Sequence, residues 1–196
     1  MGDLSEKEIQ KYEKLKAKIE LNNPWHSIEF FLNIEPEPYA RPRKSRKLEQ
    51  LGKNNVFYNP RSSYHKKLRK EIERQITERI RGFQLVDGEV HLYAEFGLVP
   101  PKAYTKSKNK WQLLTDRIIT PTVRPDIDNW IKPIMDVLNK LVYTDDGQIT
   151  RLCVDKVYSV LEHPYVKIRI NYRQDPIKLR WKGGNKDKLC TLILIF

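Results

Sequence analysis

The spacing of apolar residues along the chain predicts alternating strands and helices. Residues 26–34 and 89–98 place an apolar side chain at every second position, a period typical of strands with one buried face. In residues 62–80 apolar side chains recur at every fourth position, which predicts a helix with one buried face. These three segments define the first β-α-β unit of the predicted fold.

The remaining periodic segments extend this order to β-α-β-α-β-β. A second helix is predicted after Asp128, and residues 149–161 and 165–172 are predicted to be strands joined as a hairpin through residues 162–164. The apolar residues of the second helix share one face: Ile131, Ile134, Leu138 and Leu141. This order predicts an α/β (α+β) fold in which helices flank a single mixed β-sheet.

Three segments lie outside that pattern. Ser5 and Glu8 fit the capping-box motif of a charged helix, so residues 1–23 are interpreted as an appended helix and residues 24–174 as the main domain. Residues 100–125 are rich in Pro, Lys and Thr, which predicts a long surface loop with a functional role. The tail, residues 175–196, is basic and ends in an apolar run. An extra strand, a partner contact and a loosely ordered end all remain open for it.

The charge balance of the chain favours a polyanionic partner. Its 196 residues include 37 Lys and Arg against 25 Asp and Glu, a net charge of +12 that fits nucleic acid better than a membrane surface. Because no apolar run approaches roughly 20 residues, the chain is expected to be soluble and cytoplasmic, without membrane contact. Cys153 and Cys190 have no CxxC or Cys/His spacing that would indicate zinc.

The positive charge is concentrated in one stretch. Positions 41–81 hold 14 basic and 4 acidic residues, a difference of +10. A charged helix face exposed to solvent explains part of this run equally well, but the Arg-Pro-Arg segment at 41–43 has no helical periodicity and favours phosphate contact. The candidate DNA-binding residues are Arg41, Arg43, Lys44, Arg46, Lys47, Lys66, Lys67, Arg69, Lys70 and Arg124.

A group of aspartates is the main candidate for chemistry. Asp126 and Asp128 stand two residues apart before the second predicted helix, and Asp145 and Asp146 lie in the turn before the next strand. Clustered carboxylates repel one another unless a cation lies between them, and carboxylate oxygens are ligands that Mg²⁺ prefers. If Asp128 caps the helix and the later turn packs back towards it, these carboxylates converge on a magnesium site.

Each of these residues also has a purely structural interpretation. Asp128 alone is typical of an N-cap, and the Asp-Asp-Gly sequence at 145–147 is typical of a turn. Lys132 and Asp136 are spaced as an exposed helical ion pair, which contributes little. The combination beside a basic stretch favours a metal site, but a non-catalytic interpretation stays open at this point.

The motif around the aspartates resembles a known signature. It reads PDIDNWIKPIMDVLN from residue 125 and DDGQI from residue 145, followed by Lys156, and it closely resembles that of the RusA-like Holliday-junction resolvases. The segments at 41–43 and 120–125 are also similar to this family. The resemblance covers roughly residues 27–172, without the first helix or the tail. Trp130 replaces an aliphatic residue common in the motif, so it either packs in the core or faces DNA.

The resemblance implies a Mg²⁺-dependent, structure-selective endodeoxyribonuclease that acts as an intertwined homodimer on four-way DNA junctions. Asp126, Asp128 and Asp146 take the positions of the essential carboxylates and metal ligands, and Lys132 that of the essential lysine. Asp145 is the alternative ligand to Asp146. Mn²⁺ is expected to substitute for Mg²⁺. DNA recombination and repair is the implied process, by analogy with the family's occurrence in phages and prophages.

The mechanism that follows is in-line attack by an activated water, which leaves a 5′-phosphate and a 3′-hydroxyl. A two-fold dimer would present two equivalent sites to a two-fold junction, so that paired symmetric nicks result. Two other functions remain open. One is a basic DNA-binding module without catalysis, and the other is a metal nuclease that acts on flaps, single strands or RNA.

Overall fold

The fold is built on a four-stranded sheet that two helices cover on one face. The computed structural model describes residues 5–41, 43–44, 50, 57–58, 60, 62–161 and 163–174. In chain order the elements are α1 (Glu6–Asn22), β1 (His26–Leu32), β2 (Arg43–Lys44), β3 (Phe57–Tyr58), α2 (Ser62–Arg79), β4 (Val90–Leu98), α3 (Lys102–Thr105), α4 (Lys108–Thr115), α5 (Ile127–Leu138), a 3₁₀ turn (Asp146–Gln148), β5 (Ile149–Tyr158) and β6 (Tyr165–Tyr172).

The main sheet is mixed, with strand order β1-β6-β4-β5. β6 pairs antiparallel with both β1 and β4, whereas β4 and β5 run parallel. β2 and β3 form a separate two-stranded antiparallel pair. The predicted α/β (α+β) class with a single mixed main sheet and flanking helices is confirmed.

The hydrophobic core lies between the sheet and the helices α2 and α5. Alternate residues of the strands point into it, as the period of two requires, and each helix contributes one apolar stripe. Burial of these side chains away from water stabilises the layered arrangement. The residues with essentially no exposure include Phe30, Leu68, Ile72, Leu92, Phe96, Ile134, Leu138, Ile168 and Ile170.

The helix α5 connects the parallel strands β4 and β5 and runs back across the sheet between them. Its N-terminal end lies near the end of β5, because the Nζ of Lys156 donates to the carbonyl of Pro125 at 3.0 Å. The turn that follows α5 lies near the start of β4, because the side-chain amide of Gln148 donates to the carbonyl of Gly88 at 2.8 Å. The two ends of α5 therefore lie at opposite ends of the parallel strands β4 and β5.

The predicted hairpin between the last two strands is wrong. β4 lies between β5 and β6, so these strands are consecutive in sequence but are not neighbours in the sheet. Their connection passes over the end of β4, where the amide of Ser159 donates to the carbonyl of Leu98 at 2.7 Å. β5 instead pairs in parallel with β4, so β4 occupies the position beside β5 that a hairpin would have given to β6.

Residues 100–125 are not a structureless loop, since they contain the short helices α3 and α4. The capping box of α1 is present, and Ser5 Oγ and Glu8 Oε2 lie 2.6 Å apart. The tail, residues 175–196, lies outside the described residues.

Candidate metal and nucleic-acid site

Asp126 and Asp128 lie at the N-terminal end of α5 with exposed side chains. Asp126, not Asp128, holds the N-cap position, with extended backbone angles, and its carbonyl accepts the amide of Asn129 at 3.1 Å. Asp128 lies in the first helical turn. The carboxylate of Asp126 makes no capping bond to the described backbone, so its oxygens are available to a ligand. The positive end of the helix dipole favours negative charge at both positions.

Two side chains hold the backbone just before Asp126. Lys156 donates from Nζ to the carbonyls of Val123 at 2.9 Å and Pro125 at 3.0 Å. Trp130 donates from its indole N–H to the same Pro125 carbonyl at 3.0 Å, and its ring lies 5.5 Å from that of Phe96. Trp130 is buried, so of the two alternatives left by the sequence, it packs in the core.

Lys132 lies one helical turn after Asp128 and is exposed. Its Nζ lies 4.4 Å from the ring centroid of Tyr39, a cation–π contact. Tyr39 also donates its amide to the carbonyl of Asn129 at 2.6 Å, so the segment after β1 is joined to the first turn of α5. The sequence analysis missed Tyr39, because a lone tyrosine in a proline-rich segment has no distinguishing pattern.

Asp145 is the N-cap of the 3₁₀ turn before β5, Asp146 is the first residue of that turn, and both are exposed. The amide of Asp145 donates to Gln148 Oε1 at 2.8 Å, which fixes the turn. A hydrogen bond with the neighbouring carboxyl of Asp146 lowers the pKa of Asp145, and backbone N–H groups and Lys140 add to this effect. Burial raises the pKa of Tyr143, and the nearby charges of Asp146 and Asp136 raise it further.

The two carboxylate pairs do not meet within one chain. α5 has 12 residues, so its two ends are about 18 Å apart. Within the ranges that the structure describes, no group of three or more His, Cys, Asp and Glu side chains could hold a metal ion. The expected convergence in one chain is therefore wrong, because a helix that crosses back between parallel strands separates the residues at its two ends. The roles of the individual aspartates stay a prediction.

The basic candidates flank the Asp126 end of α5. A backbone hydrogen bond joins Glu37, in the segment after β1, to the hydroxyl of Tyr64 in the first turn of α2. Burial raises the pKa of this hydroxyl to about 12, although the hydrogen bond with Glu37 acts in the opposite direction. The same segment contacts α5 through Tyr39 and ends at the exposed Arg41. It therefore links the starts of both helices, and the basic first turns of α2 lie on this side of the molecule.

The predicted DNA-binding residues differ in their local partners. On α2, Lys66, Lys67 and Lys70 are exposed and form no ion pair with described residues, whereas Arg69 pairs with Glu73 at 2.8 Å. Arg124, Arg43 and Lys44 are also exposed, and Arg46 and Lys47 lie outside the described residues. The three lysines of α2 are therefore the basic group on that helix best placed to contact phosphate.

Two comparisons with known proteins identify the class of the chain. The family model described as Endodeoxyribonuclease RusA matches residues 33–171, more than half of the chain. The chain therefore belongs to the RusA endodeoxyribonuclease family, whose nucleases act on DNA and are generally metal-dependent. It is also similar to the "Uncharacterized protein YqaN" of Bacillus subtilis (strain 168), with 32% identity over 143 residues, 73% of this chain and 94% of that protein. No helix among the described residues is long and apolar enough to cross a membrane.

Proposed function

We propose that the chain is a Mg²⁺-dependent endodeoxyribonuclease that resolves four-way DNA junctions by paired symmetric nicks in recombination and repair. The observation that carries the proposal is the pair of exposed carboxylates at the start of α5, Asp126 and Asp128, beside Lys132 and an exposed basic surface. An acidic pair with basic side chains nearby suits a site where a divalent ion meets a phosphodiester. In a DNA-binding module without catalysis, two exposed carboxylates beside the basic residues would repel the phosphates that those residues bind.

A single chain brings together only part of the oxygen ligands that a divalent metal ion would need. Asp126 and Asp128 supply carboxylate oxygens, the ligands that Mg²⁺ and Mn²⁺ accept. Asp146, with Asp145 as the alternative, is the third carboxylate of the proposed set and lies at the other end of α5. When bound, the ion would lower the pKa of a water and neutralise charge on the phosphate.

The chain's own residues bind and orient the substrate. Lys132 is held by the Tyr39 ring one turn from Asp128, where its ammonium can stabilise charge on the scissile phosphate. Lys156 and Trp130 fix the backbone before Asp126, so the carboxylate direction is set before DNA arrives. Arg41 and the lysines of α2 would contact the phosphate backbones of the junction arms. The shape of the DNA junction would distinguish it from plain duplex.

A second copy of the chain supplies what one copy lacks. Because the two carboxylate pairs lie at opposite ends of α5, a helix about 18 Å long, one ion can take ligands from both pairs only if the pairs come from different chains. A two-fold dimer would create two such sites at once, which matches the two opposed nicks that a junction requires. We therefore propose a homodimer with shared sites.

The test is cleavage of labelled DNA by Asp126→Asn and Asp146→Asn variants. Each is expected to cleave a mobile four-way junction at least about 100-fold more slowly while still binding it, since the loss of metal ligands exceeds typical losses from supporting residues. Asp116→Asn is the matched control, because the Asp116 side chain is exposed and bonds only to Gln112 among the described residues. Absence of Mg²⁺- or Mn²⁺-dependent cleavage by the unmodified protein would overturn the proposal.

The same variants test site sharing and substrate. If sites are shared, a mixed dimer of the two variants keeps one intact site, so mixing them should restore one nick per junction. If each chain holds its own site, mixing restores nothing. Duplex, flap, single-stranded DNA and RNA in parallel reactions identify the preferred substrate, and faster cleavage of any of them than of the junction would contradict junction selectivity.

A further inference from the structure

A groove lies between the α3–α4 segment, residues 102–115, and the chain that follows the ends of β4 and β5. Its volume is about 590 Å³, within the roughly 300–1,000 Å³ typical of sites that hold small ligands. Residues that follow the two strands, among them Val99 and Leu161, line one part of the groove. The α3–α4 segment lines the rest with Lys106, Lys108 and Trp111. The groove therefore combines apolar, aromatic and basic side chains.

Trp111 brings to the groove an aromatic ring that the chain itself does not use. Its side chain is half-buried, and it makes neither a ring contact nor a side-chain hydrogen bond with the described residues. The other two described tryptophans differ, since Trp25 packs against His91 with ring centroids 4.3 Å apart and Trp130 packs against Phe96. Unpaired nucleobases stack on aromatic side chains of this kind, because every base has a π-face.

Both sides of the groove are held in place by the fold. Ser159 is fully buried, and its hydroxyl donates to the carbonyl of His163 at 2.8 Å and accepts the amide of Leu161 at 3.1 Å. Just after α4, Arg117 forms an ion pair with Glu95 of β4 at 2.7 Å. A ligand would therefore meet a largely preformed site, which lowers the ordering cost of binding.

The charge beside the groove is positive. Residues 102–111 contain four lysines and no acidic residue. All four are exposed and none forms an ion pair with described residues: Lys102, Lys106, Lys108 and Lys110. Lysines without a local partner favour a polyanion, whereas an apolar peptide in the groove would leave their charges uncompensated. A nucleotide matches this combination, because its base is planar and its phosphates are negative.

The groove lies near the Asp126 end of α5. The ring of Tyr104 in α3 lies 6.1 Å from that of Tyr158 at the end of β5. Lys156, two residues earlier on that strand, donates to the carbonyl of Pro125, the residue before Asp126. Two residues of a strand span only about 7 Å. A DNA strand that passes the Asp126 carboxylate can therefore also reach the groove.

We propose that this groove binds one unpaired nucleotide of the DNA substrate, with the base stacked on Trp111 and the flanking phosphates in contact with Lys106 and Lys108. The inference deepens the proposed function and rests on it for DNA as the ligand. A nucleotide can stack here only after it has left the duplex. The groove would therefore favour DNA with opened base pairs over fully paired duplex, and this selection is separate from the metal site.

Trp111→Leu tests the stacking, because leucine keeps an apolar side chain and removes the aromatic ring. In EDTA, fluorescence anisotropy with a labelled oligothymidylate should show binding at least about 5-fold weaker than that of the parent, the lower end of what one stacked base contributes. Binding of a blunt duplex should not change. Trp111→Phe keeps a ring and should retain most of the affinity for the oligonucleotide.

Trp25→Leu is the matched control, because Trp25 is 43% exposed but its ring already packs against His91. It should leave the affinity for oligothymidylate unchanged. An equal loss in Trp25→Leu and Trp111→Leu, or no loss in Trp111→Leu, would overturn the proposal. Circular dichroism of each variant shows whether it is folded.

A photocrosslink locates the base without any change to the groove. Oligothymidylate that carries one iodouracil, irradiated in complex with the full chain, should become attached to Trp111, and mass spectrometry of the peptides identifies the residue. The same base in a fully paired duplex should give little attachment there. Attachment mainly to another aromatic residue, such as Tyr39, would contradict the proposed site.

A double substitution, Lys106→Ala with Lys108→Ala, tests the phosphate contacts and leaves the ring in place. Both side chains are exposed, so the fold should persist. For oligothymidylate, the slope of log K against log salt concentration should decrease by about 0.7 for each lysine that contacts a phosphate of a single strand. Lys167→Ala, an exposed lysine on β6, should leave the slope unchanged. Equal slopes for the double variant and the parent would refute these contacts.

These measurements need neither metal nor cleavage, so they can fail separately from the proposed function. A chain that binds oligothymidylate at Trp111 but cuts no DNA would support the groove and remove the catalytic proposal. An active nuclease whose Trp111→Leu variant binds the oligonucleotide like the parent would do the opposite. If that variant instead changes only the sedimentation of the DNA-free protein, the groove holds a protein segment and the nucleotide assignment is wrong.

Discussion

Lys156 illustrates how one side chain can fix the backbone beside a candidate ligand. It is half-buried, and its ammonium spans two carbonyls of the segment that leads into Asp126. Charge-assisted hydrogen bonds of this kind are roughly twice as strong as neutral ones. Trp130 binds the same Pro125 carbonyl from the helix side, so the direction of the Asp126 carboxylate depends on two anchors.

Replacing Lys156 by Met should impair cleavage more than folding. The methionine keeps most of the apolar stem but leaves the Val123 and Pro125 carbonyls without their donor, so the Asp126 segment loosens. We expect cleavage at limiting Mg²⁺ to fall by roughly 10-fold to 100-fold, the range found for residues that support metal ligands. Cleavage rates measured across a series of Mg²⁺ concentrations should show a raised requirement for the ion.

Lys167→Met is the matched control for this prediction. Lys167 is an exposed lysine on β6, a strand that does not contact the Asp126 segment through any described hydrogen bond. The Lys167→Met variant should leave the Mg²⁺ requirement for cleavage unchanged. If both variants raise that requirement equally, the effect comes from overall charge and the anchoring role of Lys156 is wrong.

At the scale of single elements, β4 and β6 meet at a close contact that depends on a glycine. Gly97 is buried, and a Cβ atom built on it would lie 2.2 Å from the ring of Tyr165 on β6. The Tyr165 hydroxyl donates to Glu95 Oε1 at 2.7 Å, and its ring stacks on Phe31 with centroids 5.1 Å apart. The Tyr165 ring is therefore fixed by Glu95, Phe31 and the backbone at Gly97, so it cannot move away without losing these contacts.

Gly97→Ala should destabilise the fold by about 1–3 kcal/mol, the range typical of overpacking a well-packed site. Urea unfolding, followed by circular dichroism, measures the free energy of unfolding. The matched change is Gly147→Ala, where the new Cβ would meet only a flexible carboxylate oxygen of Asp145 at 3.9 Å. That variant should stay within about 0.5 kcal/mol of the parent. Equal losses in both variants would contradict the role assigned to Tyr165.

The properties of the individual strands and helices explain which parts of the fold could be predicted from the sequence. The four strands of the main sheet and the longer helices were predicted because their apolar periods are local and extend over at least seven residues, whereas the two-residue strands β2 and β3 were not predicted. The helices α3 and α4 were missed because four and eight residues in a lysine-rich segment show little periodicity. The hairpin was wrong because strand neighbours depend on long-range pairing, which adjacency in sequence does not determine.

The candidate site was predictable in composition but not in arrangement. The motif identified the aspartates and Lys132, because it depends only on residue types and their spacing along the chain. Whether Asp126 and Asp146 lie together depends on the direction of α5 across the sheet, which no local pattern encodes. Tyr39 and its cation–π contact were likewise invisible, because a lone tyrosine in a proline-rich segment has no distinguishing signal.

For the whole molecule, charge distribution determines how the chain would meet DNA. The net charge of the chain is +12, but some basic side chains on α2 form ion pairs with glutamates of the same helix. Arg74 is bound by both Glu71 and Glu78, and Arg69 by Glu73, whereas Lys66, Lys67 and Lys70 have no such partner among the described residues. Exposed charges without a local partner are the ones that can release counterions from DNA.

Replacing Lys66, Lys67 and Lys70 together by Ala should weaken junction binding and flatten its dependence on salt. The slope of log K against log salt concentration should decrease by about 0.9 for each lysine that contacts a phosphate of double-stranded DNA. Fluorescence anisotropy with a labelled junction across a salt series measures both quantities. The unfolding free energy should change little, because these side chains are exposed.

Arg74→Ala removes a charge from the same helix and serves as the control. Its guanidinium is held by two glutamates, so it should contribute less to phosphate binding than any one of the three lysines. We expect the salt slope of this variant to stay near that of the parent. If Arg74→Ala flattens the slope as much as a single lysine substitution does, net charge alone governs binding, and the lysine side of α2 is not the surface that faces DNA.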